Sequence, residues 1–336
     1  MFMASFMRQP RGYWPHLAAL AYGVFGYGAG VALLTVPGAL ANGLGVLLLA
    51  HALVICAYLV HDCAHNTVFR DGAHNARLGR ALNWITGACY GDYQAIRHKH
   101  FRHHVDRADV VAFDYRPLLA RHPLLLRVIL ALEWAYIPAL DLFMHALVLM
   151  LPFALSSRHG ARRRVLGVAL VRIALFGVLG MYAPKGLLLY ALAYLLFLHV
   201  MRFMDAFQHT YEVFETLEHD RGPEAKRFDR DYEHRNTFSN PVSLRHPWLN
   251  LLTLNFGYHN AHHARPTAPW YRLPALHREL YGDDDGQVIP FANQLRSYHR
   301  HRVARVLNGV DMDIGAGSRK GLPFVGVVGV SFLTAH

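Results

Sequence analysis

Charged residues are scarce in this sequence. Asp, Glu, Lys and Arg together make up 17% of its 336 residues, whereas about a quarter is usual for a soluble domain. Hydrophobic residues make up 53%, and they are gathered into long runs. Since about 20 consecutive apolar residues are enough to cross a bilayer, this composition predicts an integral, multi-pass membrane protein.

Cysteine is scarce too. The three cysteines, Cys56, Cys63 and Cys89, form no Cys-x-x-Cys pair. They therefore give no support to a disulfide framework, and they do not provide the ligand set of an iron–sulfur cluster.

Acidic residues are outnumbered by basic ones. The sequence has 23 Asp and Glu residues and 34 Lys and Arg residues, which gives a net charge of +11. The basic residues lie between the apolar runs and no nucleic-acid-binding module accompanies them, so we expect no nucleic-acid partner. We interpret the basic segments as cytoplasmic loops.

Four apolar runs form two closely spaced pairs. The turn within the first pair, Pro37-Gly38, carries no Lys or Arg, whereas basic residues flank the outer ends of both pairs. By the positive-inside rule, each pair should be a hairpin that begins and ends in the cytoplasm. A stretch at 123–155 is apolar but carries charges that a clean span would not tolerate, so we expect interfacial helices there. The predicted spans are 16–36, 39–60, 165–182 and 187–204.

These spans divide the chain into five regions. A last apolar run, at 321–335, is too short to be a fifth span. In chain order, we predict a cytoplasmic N-terminal segment at 1–15, hairpin 1 at 16–60, a cytoplasmic region at 61–164 that includes the interfacial helices, hairpin 2 at 165–204, and a cytoplasmic region at 205–336.

Histidine is plentiful, with 24 residues, and three short motifs stand out. The pattern His-x-x-His-His begins at His100 and again at His259, although this histidine content predicts only about 0.1 copies by chance. A shorter motif pairs His61 with His65. Side chains three and four residues apart share a helix face. Each motif therefore predicts a set of metal ligands, because neutral imidazole binds iron, zinc and copper.

We call these motifs box 1, box 2 and box 3 in chain order. His209, just beyond the fourth span, should lie at the same depth as the end of the second span, which brings the candidate ligands to nine. A single zinc takes about four ligands, so nine imidazoles indicate two metal ions, and iron with open positions can handle dioxygen. The nine candidates are His61, His65, His100, His103, His104, His209, His259, His262 and His263.

Four aspartates near the boxes are candidates for groups that hydrogen bond to the imidazoles and orient them. A solvated position on the cytoplasmic surface is an equal alternative for each one. His98 offers an alternative start to box 2, and we keep His100 because its spacing puts all three imidazoles on one helix face. The four candidates are Asp62, Asp92, Asp205 and Asp231.

The boxes and hairpins together resemble the membrane fatty acid desaturase and hydroxylase superfamily. The resemblance extends from about residue 40 to residue 280, and Gln208-His209-Thr210-Tyr211 resembles the extra histidine motif that precedes the third box. Where some members have Asn four residues before this histidine, the chain has Asp205. The resemblance implies an all-α integral membrane protein, with four transmembrane helices in two hairpins and a helical cytoplasmic cap that holds the metal site.

The resemblance also implies an activity. Two iron ions, with dioxygen as co-substrate, would abstract hydrogen from an acyl chain carried on coenzyme A, a carrier protein or a lipid. Loss of a second hydrogen gives a double bond, and return of oxygen gives an alcohol. The sequence contains no fused haem or flavin module, so the electrons should come from a separate donor such as a ferredoxin or a b-type cytochrome.

Three functional hypotheses remain open. The first is a fatty-acyl desaturase, and the second is a hydroxylase, ketolase or acetylenase that uses the same diiron site. The third is a non-enzymatic metal transporter or sensor. Transport would require ligands at mid-membrane, whereas the histidine boxes lie beyond the ends of the predicted spans.

Overall fold

The computed structural model describes residues 6–211, 214–218, 228–282, 284, 286–307 and 333–335. The described residues form thirteen α-helices, two short strands and several 3₁₀ turns. Of the predicted apolar run at 321–335, residues 321–332 lie outside the described part of the chain. The helices are α1 (Tyr13–Thr35), α2 (Ala39–Ala64), α3 (Gly72–Thr86), α4 (Tyr93–Asp106), α5 (Arg116–Arg121), α6 (Pro123–Trp134), α7 (Ala139–Ala154), α8 (Arg162–Tyr182), α9 (Pro184–Asp205), α10 (Arg230–Arg235), α11 (His259–Ala264), α12 (Leu273–Tyr281) and α13 (Phe291–His301), and the strands are β1 (Asp109–Val111) and β2 (Phe214–Thr216).

Within the described residues, four segments of helix are long and apolar enough to cross a membrane, which confirms the predicted all-α fold with four spans. They contain α1, α2, α8 and α9, and the connections within each pair are only a few residues long. The predicted stretch at 123–155 forms α6 and α7, and its position at the membrane interface stays a prediction, as does the division into cytoplasmic regions. The four segments are Pro10–Thr35, Ala39–Ala64, Ser156–Tyr182 and Pro184–Asp205.

The chain divides into two compact units. The first consists of Met1–Ile96, His145–Val200 and Ala335–His336. Within it, α1 and α2 pack at close range because glycine faces the partner helix. A Cβ atom built on Gly30 would lie 2.9 Å from the Cβ atom of Leu49. Small residues at such a contact let two helix backbones approach each other, which is how helices associate in a membrane.

A charged residue in the middle of α8 has a partner within the first unit. Arg172 is buried, and its Nη2 atom donates a hydrogen bond of 2.6 Å to the carbonyl oxygen of Trp84 in α3. A charge within an apolar helix is tolerated when it faces the bundle and finds a hydrogen-bond acceptor. Arg172 therefore connects α8 to α3 inside the unit.

The second unit consists of Arg97–Met144 and Met201–Thr334. Its strands β1 and β2 pair in parallel, with Asp109 opposite Phe214. A buried ion cluster stabilises the unit, because Nη1 of Arg202 lies 2.6 and 2.7 Å from the two carboxylate oxygens of Glu133 and 3.5 Å from Oδ2 of Asp141. Opposite charges that are buried together compensate each other's loss of hydration.

Candidate metal centre

Box 2 lies in α4, within the second unit. The Nε2 atoms of His100 and His104, one helical turn apart, approach to 3.1 Å. The Nδ1 atom of His103 is 2.9 Å from the carbonyl oxygen of Ala108. His98, the alternative start of the box, is exposed whereas His100 is buried. The helix therefore turns His100 rather than His98 toward the other box histidines of the unit.

Box 3 forms α11, a helix of only six residues whose three histidines are all buried. So short a helix has little stability of its own, so its position must come from tertiary contacts. The second residue of the box provides one, because the Oγ hydroxyl of Ser239 donates to Oδ1 of Asn260 at 2.8 Å. Just before the helix, Leu254 and Asn255 adopt the left-handed backbone region, which turns the chain into the box.

Four histidines of the second unit form what we call the His209 set. The Nε2 atom of His209 lies 2.9 Å from Nε2 of His103 and 2.7 Å from Nε2 of His259. Together with His263, they bring four ring nitrogens within 4.8 Å of one another. His209 is carried by the segment after α9, which pairs with Thr237 in an antiparallel bridge.

Three further histidines of this unit form what we call the His104 set. The Nε2 atom of His104 lies 3.1 Å from Nε2 of His100 and 3.2 Å from Nε2 of His262. Box 3 thus contributes His259 and His263 to one set and His262 to the other. Adjacent histidines on one turn point in different directions, which is why a single His-x-x-His-His motif can contribute to two metal positions.

Box 1 lies in the first unit. His61 is in the last turn of α2 and His65 is its C-terminal cap, and both residues are buried. Their ring centroids are 4.8 Å apart. The spacing of four residues therefore places both imidazoles on one face at the end of a membrane-spanning helix, as the sequence predicts.

The donor atoms in both sets of the second unit fit a metal ion. A neutral imidazole carries one N–H, yet the Nε2 atom of His209 faces two other Nε2 atoms. One hydrogen cannot satisfy three converging nitrogens, whereas a cation between them accepts a lone pair from each. Each of the two sets thus offers a position for a metal ion, and the number and identity of the ions stay a prediction.

Burial keeps the imidazoles of the His209 set in the form that binds metals. It lowers the pKa of His103 to about 4. The pKa values of His209 and His263 are held well below the usual value, by burial first and then by the neighbouring imidazoles. All three are therefore neutral at pH 7, with a lone pair available on each ring.

A buried lysine lies beside box 2. The Nζ atom of buried Lys99 donates a hydrogen bond of 2.8 Å to the carbonyl oxygen of Thr334. Burial lowers the pKa of Lys99 to about 7, and the carboxylate of Asp205 opposes this shift. Asp205, one of the four aspartate candidates, thus acts electrostatically on Lys99.

The other three aspartates occupy different surroundings. Asp62 is buried in the first unit, with Oδ2 at 3.9 Å from Nδ1 of His16. Asp92 is half-buried just before α4, and Asp231 is exposed on α10. Their role as orienting groups stays a prediction.

A carboxylate that belongs to no sequence motif contacts a box histidine in the second unit. The Oε1 atom of Glu233 lies 2.9 Å from Nδ1 of His263. The helix α10 begins after Asp229, whose side chain caps it by accepting from the backbone N–H of Tyr232 at 2.8 Å. The cap places Asp231 and Glu233 on the same helix. Because residues two apart on a helix point in nearly opposite directions, only one of these two carboxylates can face His263.

The profile of one protein family, described as "Fatty acid desaturase", matches residues 37–293. The chain belongs to the fatty acid desaturase family. The matched range contains all nine candidate histidines and most of the described second unit, and it confirms the resemblance that the three boxes indicate. Membership of the fatty acid desaturase family, together with the four apolar helices, indicates a membrane oxidoreductase with a lipid substrate. A comparison with curated proteins gave no match.

Proposed function

We propose that this protein is a membrane-bound, non-haem diiron fatty-acyl desaturase. The observation that carries the proposal is the convergence of ring nitrogens in the His209 set and the His104 set, within a chain of the fatty acid desaturase family. Two iron ions held there would supply oxygen-dependent removal of hydrogen from an acyl chain.

The proposed ligands of one iron are the His209 set, and those of the other include the His104 set. We add His61 and His65 to the ligand list because of their spacing and their place at the end of α2. The nine ligands that we propose are His61, His65, His100, His103, His104, His209, His259, His262 and His263.

The protein's own groups prepare these nitrogens for binding. The carbonyl oxygen of Ala108 accepts the Nδ1–H of His103, which leaves the lone pair of that ring on Nε2. The other three rings of the His209 set are buried, and burial lowers the pKa of His103 so that this ring is neutral as well. Both effects are in place before a metal arrives, so little reorganisation is needed on binding.

We propose that the substrate is a fatty-acyl group on coenzyme A, a carrier protein or a lipid, and that a ferredoxin or b-type cytochrome delivers the electrons. The basic segments that flank the spans support an active site on the cytoplasmic side. Box 1 lies at the end of α2, and His209 follows the end of α9. An acyl chain in the bilayer would therefore reach the metals at the membrane surface.

Mass spectrometry of acyl chains tests the proposal. Cells would express the intact protein, His259→Ala, or His98→Ala as a matched control, since His98 is an exposed histidine beside box 2. We expect fatty acids with two fewer hydrogens from the intact protein and the control, and none from His259→Ala.

Three other outcomes would overturn the proposal. Products that gain oxygen would assign a hydroxylase or ketolase, and a triple bond would assign an acetylenase. An intact protein that changes no acyl chain and binds no iron after anaerobic reconstitution would rule out a diiron enzyme.

A further inference from the structure

Glu233 lies between the imidazole of His263 and the guanidinium of Arg107 in the second unit. Its Oε1 atom is 2.9 Å from Nδ1 of His263, and its Oε2 atom accepts a hydrogen bond of 3.0 Å from Nε of Arg107. Both carboxylate oxygens are therefore engaged by protein groups. A role as an orienting group fits this arrangement better than a role as a metal ligand.

The contact with Glu233 determines which nitrogen of His263 faces the other imidazoles. A carboxylate only accepts hydrogen bonds, so the Nδ1 atom of His263 must carry the hydrogen. The lone pair is then on Nε2, which is buried without a hydrogen-bond partner among the described residues. A buried lone pair with no donor points to a ligand that the protein does not itself supply.

Arg107 fixes Glu233 from the other side. It follows directly after α4, and its backbone adopts a left-handed conformation with φ of 51°. Its Nη1 atom donates to the carbonyl oxygen of Phe228 at 2.7 Å, just before the start of α10. A strained conformation of a residue other than glycine persists where surrounding contacts require it. Here those contacts join the end of the box 2 helix to the helix that carries Glu233.

We propose that Glu233 is a positioning residue that orients His263 toward the metal of the His209 set, and that Arg107 holds the carboxylate in place. This inference rests on the proposed diiron function. It adds Glu233, a carboxylate in contact with a box histidine, to the four aspartate candidates. A carboxylate behind a ligating imidazole fixes the ring and makes its lone pair more basic, so its removal weakens metal binding about 10- to 100-fold.

Ferrous iron binding measures this role without depending on turnover. The full chain in detergent micelles, freed of metal, would be titrated anaerobically with Fe²⁺ in competition with a chromophoric chelator. The variants are Glu233→Gln and Glu233→Ala, with Asp231→Asn as the matched control, because Asp231 is an exposed carboxylate on the same helix. The thermal unfolding temperature of each metal-free protein would be recorded in parallel.

We expect Glu233→Ala to weaken the binding of one of two iron ions by about 10- to 100-fold. Glu233→Gln should weaken it less, because its amide oxygen can still accept from Nδ1 although the ion pair with Arg107 is lost. Asp231→Asn should bind iron as the wild type does, and Glu233→Gln should unfold, without metal, at the wild-type temperature.

Three results would overturn the inference, and they differ in what else they affect. Wild-type iron affinity in both Glu233 variants would remove the positioning role and leave the proposed function intact. Weaker iron binding that appears only together with a lower unfolding temperature of the metal-free protein would assign Glu233 a structural role. Failure of the wild-type protein itself to bind iron would end both this inference and the proposed function.

Discussion

At the scale of single residues, the position of the His209 imidazole determines whether the four rings of the His209 set can share one metal ion. The Nε2 atom of His209 lies 2.9 Å from a ring nitrogen of box 2 and 2.7 Å from one of box 3. Its other nitrogen, Nδ1, lies 3.4 Å from the hydroxyl oxygen of Thr237. His209 comes from neither box, yet it is the residue on which both boxes meet.

Replacing His209 should therefore remove one metal and leave the other. We expect His209→Ala to lower the iron content of reconstituted protein from about two ions to about one per chain, because three ligands of the His104 set remain. Elemental analysis after gel filtration measures this ratio, and His98→Ala serves as the control. Retention of both ions in His209→Ala would show that His209 is not a ligand.

Much of the site at this scale follows from spacing, and part of it does not. The repeats at i, i+3 and i+4 identify six of the seven histidines that the second unit brings into two sets. The seventh, His209, belongs to no such repeat, and the sequence indicates it by its place after the fourth span and by the resemblance of the residues around it. Glu233 carries no such signal, because its partner His263 is 30 residues away. A contact between residues so far apart in the chain depends on how α10 packs, and no local sequence pattern predicts it.

At the scale of elements, short segments hold the boxes in place. The guanidinium of Arg102, inside box 2, lies 2.7 Å from Oε2 of Glu215 in β2, and its Nη1 donates to the carbonyl oxygen of Thr216 at 3.0 Å. The strand β2 begins five residues after His209. This ion pair therefore connects the box 2 helix to the segment that carries His209, in the same way that Arg107 connects it to α10.

The strands and the long helices differ in how far the sequence predicts them. Apolar runs longer than about 18 residues leave few alternatives to a membrane-spanning helix, so the four spans follow from composition alone. Each of β1 and β2 has only three residues, too few for an alternating pattern, and they pair across more than 100 positions. Their pairing therefore has no signal in the local sequence.

Close backbone packing just before box 3 gives a prediction for that element. A Cβ atom on Gly257 would lie 2.7 Å from the Cα atom of Pro241 and 2.9 Å from the carbonyl oxygen of Asn240. Neither atom belongs to a flexible side chain, so Gly257→Ala should destabilise the protein by about 1–3 kcal/mol and weaken iron binding. The unfolding temperature in detergent measures the effect.

The matched control for this substitution is Gly177→Ala. Gly177 is an exposed residue of α8, and a Cβ atom there would meet nothing within 4 Å. Alanine is the better helix former, so this variant should unfold at or above the wild-type temperature. Equal unfolding temperatures for the two alanine variants would contradict the tight packing at Gly257.

For the whole molecule, the basic segments predict which ends of the helices lie in the cytoplasm. Arg163 is exposed at the start of α8, within a run of three arginines, and Lys185 is exposed in the first turn of α9. Only Ala183 separates α8 from α9, so the two residues lie at opposite ends of α8. If α8 spans the bilayer with its arginine-rich end inside, these two positions face different compartments.

Cysteine labelling in intact cells tests this orientation with little background, because the three native cysteines are buried. We expect Lys185→Cys to react with a membrane-impermeant maleimide added outside the cells. Arg163→Cys should react only after the membrane is permeabilised, and the wild-type protein in neither case. Labelling of Arg163→Cys in intact cells would reverse the topology. It would also place the ends of α2 and α9, and with them box 1 and the segment leading to His209, on the side away from a cytoplasmic electron donor.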